Sequence, residues 1–554
     1  MSDSLMAAVS GLQGHQKMLD VAGNNLANVN TYGFKSSRVT FSELLSETLR
    51  EATQPQERVG GTNPQQIGSG VTVSSIDRNM SQGTMVHTGQ PLDMAIEGAG
   101  YFVLGDGQKD MYTRVGTFAV DSQYYLVDPG TGYRVQRLDV QGVAEGFQDA
   151  SSNDIRIPYD MALPAKPTEA ISFTGNLSAD AESPLTNQLT SGTQYTVGGA
   201  VASVTSLLAD LDQATGTSDG ETIAISGKAA DGSDVSATFT IGSGAGQDGT
   251  TLGDLLTKIS GAFSGSTATL VNGEIRLTDT TAGYSQTDIY MAYNGAGSLT
   301  LPTYFQHLAA GGRETKSANV EIFDAQGIGH VVSVAFVRTD TDDTWDMVVT
   351  NMTGNILFDS PDDRRVRGIQ FNADGSFAGL GGATPDELAI RARLDGPGST
   401  QSVITLDFGT IGQFNGLSQF GGPSTVAASG QDGYEAGYLS SLSVSRDGVL
   451  VGMFTNGVRR NIAALKVATF QNAAGLESVG GSYFIASGNS GDPMPTQAMT
   501  SGAGAVNGGS LERSNVDTAE EFVNLIQAQN GYQANARTIR VTNDMLRELS
   551  NLIR

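Results

Sequence analysis

A chain of 554 residues with 58 acidic and 32 basic side chains carries a net charge of −26, which disfavours phosphate backbones and anionic membranes as partners, so no nucleic acid is expected. The chain has no cysteine, which excludes disulfides and thiolate metal sites and suits a protein outside the reducing cytosol. The length points to roughly three to five domains, 71 glycines to many turns, and the lack of any long apolar run to no membrane insertion.

Residues 1–35 open the chain with apolar or small side chains at steps of three and four: Leu5, Ala8, Leu12, His15, Leu19, Ala22, Leu26 and Val29. That spacing is a helical seam that wants a partner helix. Gly11, Gly14 and Gly23 each weaken an isolated helix by about 1 kcal/mol relative to alanine, so this one is not expected to stand alone. The start of the chain also lacks a basic leader followed by an apolar core, so export through a cleaved signal peptide is not expected.

Residues 36–60 read as a linker with one short helix between Phe41 and Glu51, closed by Pro55, Gly60 and Gly61. From 61 to 165 the hydrophobic period falls to two, with GDG, DPG and QG turns, which predicts the first half of an antiparallel β domain. Its second half is placed at 421–500, where Asp447-Gly448 and Asn456-Gly457 mark hairpin turns. A β domain split in this way brackets whatever lies between. Inside it, 166–180 and 316–420 form an outer β domain with the sole tryptophan, Trp345, in its core. Inside that, 181–315 form an inserted α+β domain, read as a helix at 201–212, a hairpin at 222–241, a helix at 251–263 and a hairpin at 267–280. Added furthest from both termini, this insertion is expected to lie furthest out.

The segment 501–554 ends in a second seam: Leu525, Ala528, Tyr532, Asn535, Ile539, Thr542, Leu546, Leu549 and Ile553. Ser514-Asn515 offers N-cap oxygens, and Asp517, Glu520 and Glu521 place negative charge on the first turn. With no glycine or proline after Gly531, the helix runs about 60 Å at 1.5 Å per residue, too long for a compact domain. Two seams at opposite ends of one chain most simply pair with each other and then with neighbouring copies. His15, Asn535 and Thr542 are polar positions that set register or are merely tolerated there.

No residue pattern specifies catalysis. Gly244, Gly246 and Gly249 match a dinucleotide fingerprint, but the preceding strand closes a hairpin, so the unit is ββα rather than βαβ. Asp340, Asp342, Asp343 and Asp346 crowd one turn without the spacing of a calcium loop. His15, His87, His307 and His330 are scattered, and neither a zinc motif nor a nucleophile elbow is present. No cofactor, no metal and no enzymatic activity are expected.

The stretch 23–35, GNNLANVNTYGFK, resembles the amino-terminal signature of the flagellar rod and hook axial protein family, on Asn24, Asn25, Asn28, Asn30, Thr31, Gly33, Phe34 and Lys35. The stretch from Ser514 resembles its carboxy-terminal partner, on Ser514, Asn515, Val516, Asp517, Gln527, Gln529, Tyr532 and Asn535. The β segments are similar to those of the same family, and 181–315 looks like a module recurring in flagellar axial proteins. Thr518, Asn530 and Tyr32 depart from many members. Tyr32 stands where rod members usually carry proline and is more typical of hook subunits.

The resemblance implies a mainly β multidomain protein with paired terminal helices. It also implies a structural subunit that polymerises into a curved helical tube, a flexible joint carrying torque from rod to filament. Partners implied are further copies of the chain, rod, hook cap and hook–filament junction proteins, and a type III export apparatus. Assembly contacts are expected through Leu5, Leu12, Leu19, Leu26, Val29, Leu525, Tyr532, Ile539, Leu546, Leu549 and Ile553. A distal rod subunit and a surface adhesin are the alternatives. The lack of cysteine excludes any crosslink that needs a cysteine side chain.

Overall fold

The computed structural model describes residues 2–55, 57–180, 182–381, 388–396 and 398–552. Three α-helices occur among them: α1 (Ser2–Ala27), α2 (Leu252–Ala262) and α3 (Thr518–Leu552). Almost all the remaining regular structure is strand. The chain forms two compact units, one built from Met1–Leu163 with Gly437–Arg554 and the other from Pro164–Ala436. The second is therefore inserted into the first along the chain, and the return falls after Ala436 rather than at 420. The reason is the strand Ala427–Gln431, which pairs antiparallel with Ala170–Ser178.

In the first unit the linker helix expected between Phe41 and Glu51 is absent. Ser37–Glu43 is a strand paired antiparallel with Val71–Arg78, and Ser46–Arg50 pairs with Gln65–Gly68. The local helix propensity of SELLSETLRE loses to the alternating partner strand and to α1, where Phe41 lies against Gly14 and the ring of His15. The hairpins at Asp447-Gly448 and Asn456-Gly457 join the strands Gly437–Val444, Val449–Phe454 and Arg459–Ala464. A larger sheet brings Tyr101–Gly105 and Asp110–Thr113 together with Val467–Thr469 and Tyr483–Ile485 from the far end of the chain. Its core packs Tyr101, Val103, Tyr112, Ala468, Leu476 and Phe484. The strands Ala505–Gly508 and Ser510–Glu512 pair with Met94–Glu97 and Met85–His87, so β structure continues past 500 to the foot of α3.

In the second unit the strands Thr315–Phe323, Gly329–Arg338, Thr344–Met352, Arg365–Phe371 and Phe377–Leu380 form an antiparallel meander. It packs against a second sheet in which Ala170–Ser178 runs parallel to Ser402–Asp407 and Leu417–Phe420. Trp345, Phe173, Phe336, Phe358 and Phe408 are buried in the shared core. The inserted body has its own core around α2, with Leu189, Ile223, Phe239, Leu255, Ile259 and Phe305. The expected hairpins are Thr222–Lys228 with Asp234–Thr240 and Ser266–Val271 with Glu274–Asp279. The helix expected over 201–212 is not formed beyond the single 3-10 turn Leu208–Asp210. Its backbone is used differently: the carbonyls of Ser206 and Val204 accept from the Leu252 and Gly253 N–H groups at 3.0 and 2.8 Å. Those are orphan donors of the first turn of α2, so a neighbouring segment satisfies them.

Candidate assembly interface

α1 and α3 pack along each other in an antiparallel pair: Asn25 meets Glu521, His15 meets Gly531, and Gly11 meets Asn535. Glycine leaves room for a side chain from the other helix at two of these crossings. A Cβ at Gly11 would lie 2.8 Å from Asn535 Nδ2, and one at Gly531 would enter the ring of His15. Asn535 turns its Nδ2 to the Gly531 carbonyl at 3.0 Å. Ala8, Ala22, Ala528 and Thr542 are buried in the seam, while Leu5, Leu12, Leu19, Leu26, Val29, Leu525 and Ile539 are half-buried. The glycines expected to weaken α1 therefore let the backbones approach, a trade of helix propensity for packing.

Signature residues lock the base of the pair. Asn25 is fully buried. Its Nδ2 donates to the Ser37 carbonyl at 2.7 Å and to Glu521 Oε1 at 2.8 Å, and its Oδ1 accepts from the Ser37 N–H at 2.9 Å. Lys35 Nζ donates to Glu512 Oε1 at 2.6 Å and to the Ser81 carbonyl at 2.7 Å. Burial pulls the Lys35 ammonium below the ordinary lysine range, partly offset by Glu512. Gly33 has φ +67°, and its N–H donates to the Glu512 carbonyl at 2.9 Å; a Cβ there would meet Val115 at 2.9 Å.

Asn515, expected as a helix cap, is instead a tether. Its Oδ1 accepts from the Ser36 N–H at 2.8 Å and its Nδ2 donates to the Asn79 carbonyl at 2.9 Å. The cap is Asp517, whose Oδ1 accepts from the Ala519 and Glu520 N–H groups. Asn28 and Thr31 close the end of α1: Asn28 Nδ2 donates to the Asn24 carbonyl at 2.9 Å and Thr31 Oγ1 to Asn28 Oδ1 at 3.1 Å. Asn30 Oδ1 accepts from Arg513 at 3.4 Å, and Ser514 Oγ from the Val516 N–H at 3.3 Å. Phe34 and Val516 are half-buried, whereas Gln527 and Gln529 face outward.

Along α3 the register runs out of α1 near residue 544, so Leu546 and Leu549 overhang and are exposed, as is Tyr532 at the edge of the seam. Ile553 lies outside the described residues. Two further apolar patches escaped the sequence reading: Phe522, Val523 and Ile526, and then Val541 and Met545, are each about half exposed on the side of α3 turned away from α1, with exposed Asn530, Gln533 and Arg537 between them. The signal was present as i, i+4 steps at 522–526 and 541–545, but the stronger three-four seam masked it. Glu512 and Arg114 were missed, and Glu521 was read only as first-turn charge rather than as the partner of Asn25, because these contacts join residues hundreds of positions apart in sequence.

The other candidates resolve into structure. The loop of Gly244, Gly246 and Gly249 precedes α2, but Asp254 Oδ2 takes the Thr250 and Thr251 N–H groups at 3.0 Å each, in the place a phosphate would need. Asp346 is buried against Tyr284, Arg365 and the Gly368 N–H, while Asp340, Asp342 and Asp343 are exposed at the turn. Among the described residues no group of His, Asp and Glu side chains could hold a metal ion, and no helix is long and apolar enough to cross a membrane. His307 is buried in the second unit, its imidazole held well below the ordinary value of 6.5 by desolvation and by Arg364 and Arg365.

Four family models match the chain: "Flagella basal body rod protein" over 5–35, "Flagellar hook protein FlgE/F/G D1 domain" over 95–179, "Flagellar basal body protein FlaE D2 domain" over 292–434 and "Flagellar basal body rod FlgEFG protein C-terminal" over 507–552. The flagellar hook protein FlgE of Treponema pallidum is 32% identical over 100% of both chains. That of Borreliella burgdorferi is 28% identical, again over 100% of both. A crystal structure of Helicobacter pylori FlgE2 covers 76% of this chain and 99% of its own at 18% identity, with a TM-score of 0.39.

Proposed function

The chain belongs to the flagellar hook protein FlgE family, and from that premise we propose how it assembles: the paired helices α1 and α3 are the inner element of each subunit, and further copies cover the apolar residues the pair leaves bare. The protein is a structural subunit of the flagellar hook, not an enzyme, and works as a homopolymer. The observation that carries the assembly reading is the two outward apolar patches, Phe522, Val523 and Ile526 and then Val541 and Met545, on a helix already paired along its other side. Exposed apolar patches of that kind are what burial between copies would remove from water.

Rod, cap and junction proteins as neighbours, passage through a type III export apparatus, a curved tube and the transmission of torque are part of the same proposal. They are supported by the family and by the signature residues at the base of the helix pair. Polymerisation of the purified chain, followed by light scattering and negative-stain microscopy, tests it. Hook-like tubes are expected from the natural sequence, and Ile526→Asp combined with Phe522→Asp is expected to abolish them while leaving the β units folded. Unimpaired tubes from the double variant would remove the first patch from the interface.

A further inference from the structure

We propose that the α3 patch of Phe522, Val523 and Ile526 seats in a groove on the first unit of a second copy, between α1 and the strand Val71–Arg78. The inference rests on the assembly reading above and adds the surface that receives the patch. The groove has a volume of about 560 Å³. Gly14 is buried in it, Val71 and Val73 are half-buried, and Ile76 is 52% exposed. Its apolar lining therefore offers three branched side chains to the three of the patch.

Charge selects the partner. Among the described residues that line the groove, Lys17 alone is charged. Its ammonium lies 3.4 Å from Asp20 in an exposed pair, which holds it weakly. The patch is the converse: from Ser514 to Ala536 the sequence holds Asp517, Glu520 and Glu521 and no basic residue. Glu521 is turned inward to Asn25, but Glu520 is exposed, one turn before Val523. With copies standing the same way up, α3 of one runs antiparallel to α1 of the next. Glu520 then comes opposite Lys17, and Val523 opposite Gln13, one turn before Lys17. Patch and groove are different surfaces of one body, so each contact leaves a free patch at one end and a free groove at the other. Such a head-to-tail contact grows an open polymer rather than closing at a dimer.

The chain has no cysteine, so introduced ones report the contact. His15 stands level with Gly531, which places Gln13 about 15 Å along the helix axis from Val523 of the same chain. A disulfide needs Cα atoms within about 7 Å, so one between Gln13→Cys and Val523→Cys joins two copies. Tubes of the double variant, oxidised with diamide, should run as a ladder of multimers on a non-reducing denaturing gel, and tubes of either single variant as monomer. Separately, Lys17→Glu and Glu520→Lys should each raise the critical concentration for polymerisation at least about threefold at low salt, and the two together should restore it. Monomer alone from oxidised tubes of the cysteine pair, or no recovery in the charge exchange, overturns the groove as the seat; if the cysteine pair forms no tubes, the charge exchange decides alone. Either failure alongside loss of tubes from Ile526→Asp with Phe522→Asp rejects this groove only, whereas unimpaired tubes from that variant reject the assembly reading itself.

Discussion

Asn25 makes three hydrogen bonds from a fully buried amide, and two of them close a loop onto Ser37 while the third reaches across to Glu521. Asn25→Ala removes all three and strands the Ser37 N–H and a buried carboxylate, so the first unit should lose about 2–4 kcal/mol in urea unfolding. Glu512→Gln should cost about 3–5 kcal/mol in the same measurement, because it leaves Lys35 as a buried ammonium without a counter-charge. His307 offers a pH test in the second unit. Its folded imidazole stays neutral below 6.5 whereas the unfolded one gains a proton there. The stability this group contributes is therefore full above 6.5 and falls as pH drops below it. His307→Phe should flatten that slope, and an unchanged slope would place the titration elsewhere.

The two terminal helices were legible because a three-four repeat is a strong, local pattern, and Gly33, Lys35 and Asn25 were legible as a signature. What the repeat did not reveal was the purpose of the glycines. A Cβ on Gly11 would lie 2.8 Å from the Asn535 amide and must displace it, whereas a Cβ on Gly23 meets nothing within 4 Å. Gly23→Ala should stabilise α1 by about 1 kcal/mol through propensity alone. Gly11→Ala, the same chemical change, should instead push the helices apart and lower the helicity of the assembled protein. Circular dichroism of the two variants in polymer separates propensity from packing. The segments misread as helices, 41–51 and 201–212, fail for a related reason. Each has good local propensity, but its backbone is claimed by a partner distant in sequence: Val71–Arg78 for the first and the first turn of α2 for the second.

For the molecule as a whole, period-two patterning and paired turns conveyed a mainly β chain with one unit bracketed inside another, while the boundaries followed contacts that no local pattern encodes. Tyr304 is the clearest case. A boundary at 315 assigns it to the insertion, yet its ring packs edge-on to Phe358 at 5.1 Å and its hydroxyl donates to the Met352 carbonyl at 2.9 Å, within the core that buries Trp345. Excising 181–315 should therefore cost the outer β domain an aromatic anchor, about 3–5 kcal/mol. Excising 188–299 keeps Tyr304 but removes Tyr284 from Asp346 and the Ser285 carbonyl from Arg365, as well as the Asp288 partner of the buried Arg364; Arg364→Leu compensates the last of these. Because Trp345 is the sole tryptophan, its fluorescence reports the unfolding of that domain directly. The shorter excision with Arg364→Leu should keep a midpoint closer to that of the full chain than the longer one does, because both lose the Tyr284 and Ser285 contacts and only the longer one also loses Tyr304. Since α1 and α3 belong to the other unit, the shorter excision should also still polymerise. Loss of tubes from a variant whose Trp345 signal remains native would show that the inserted body itself contributes to assembly.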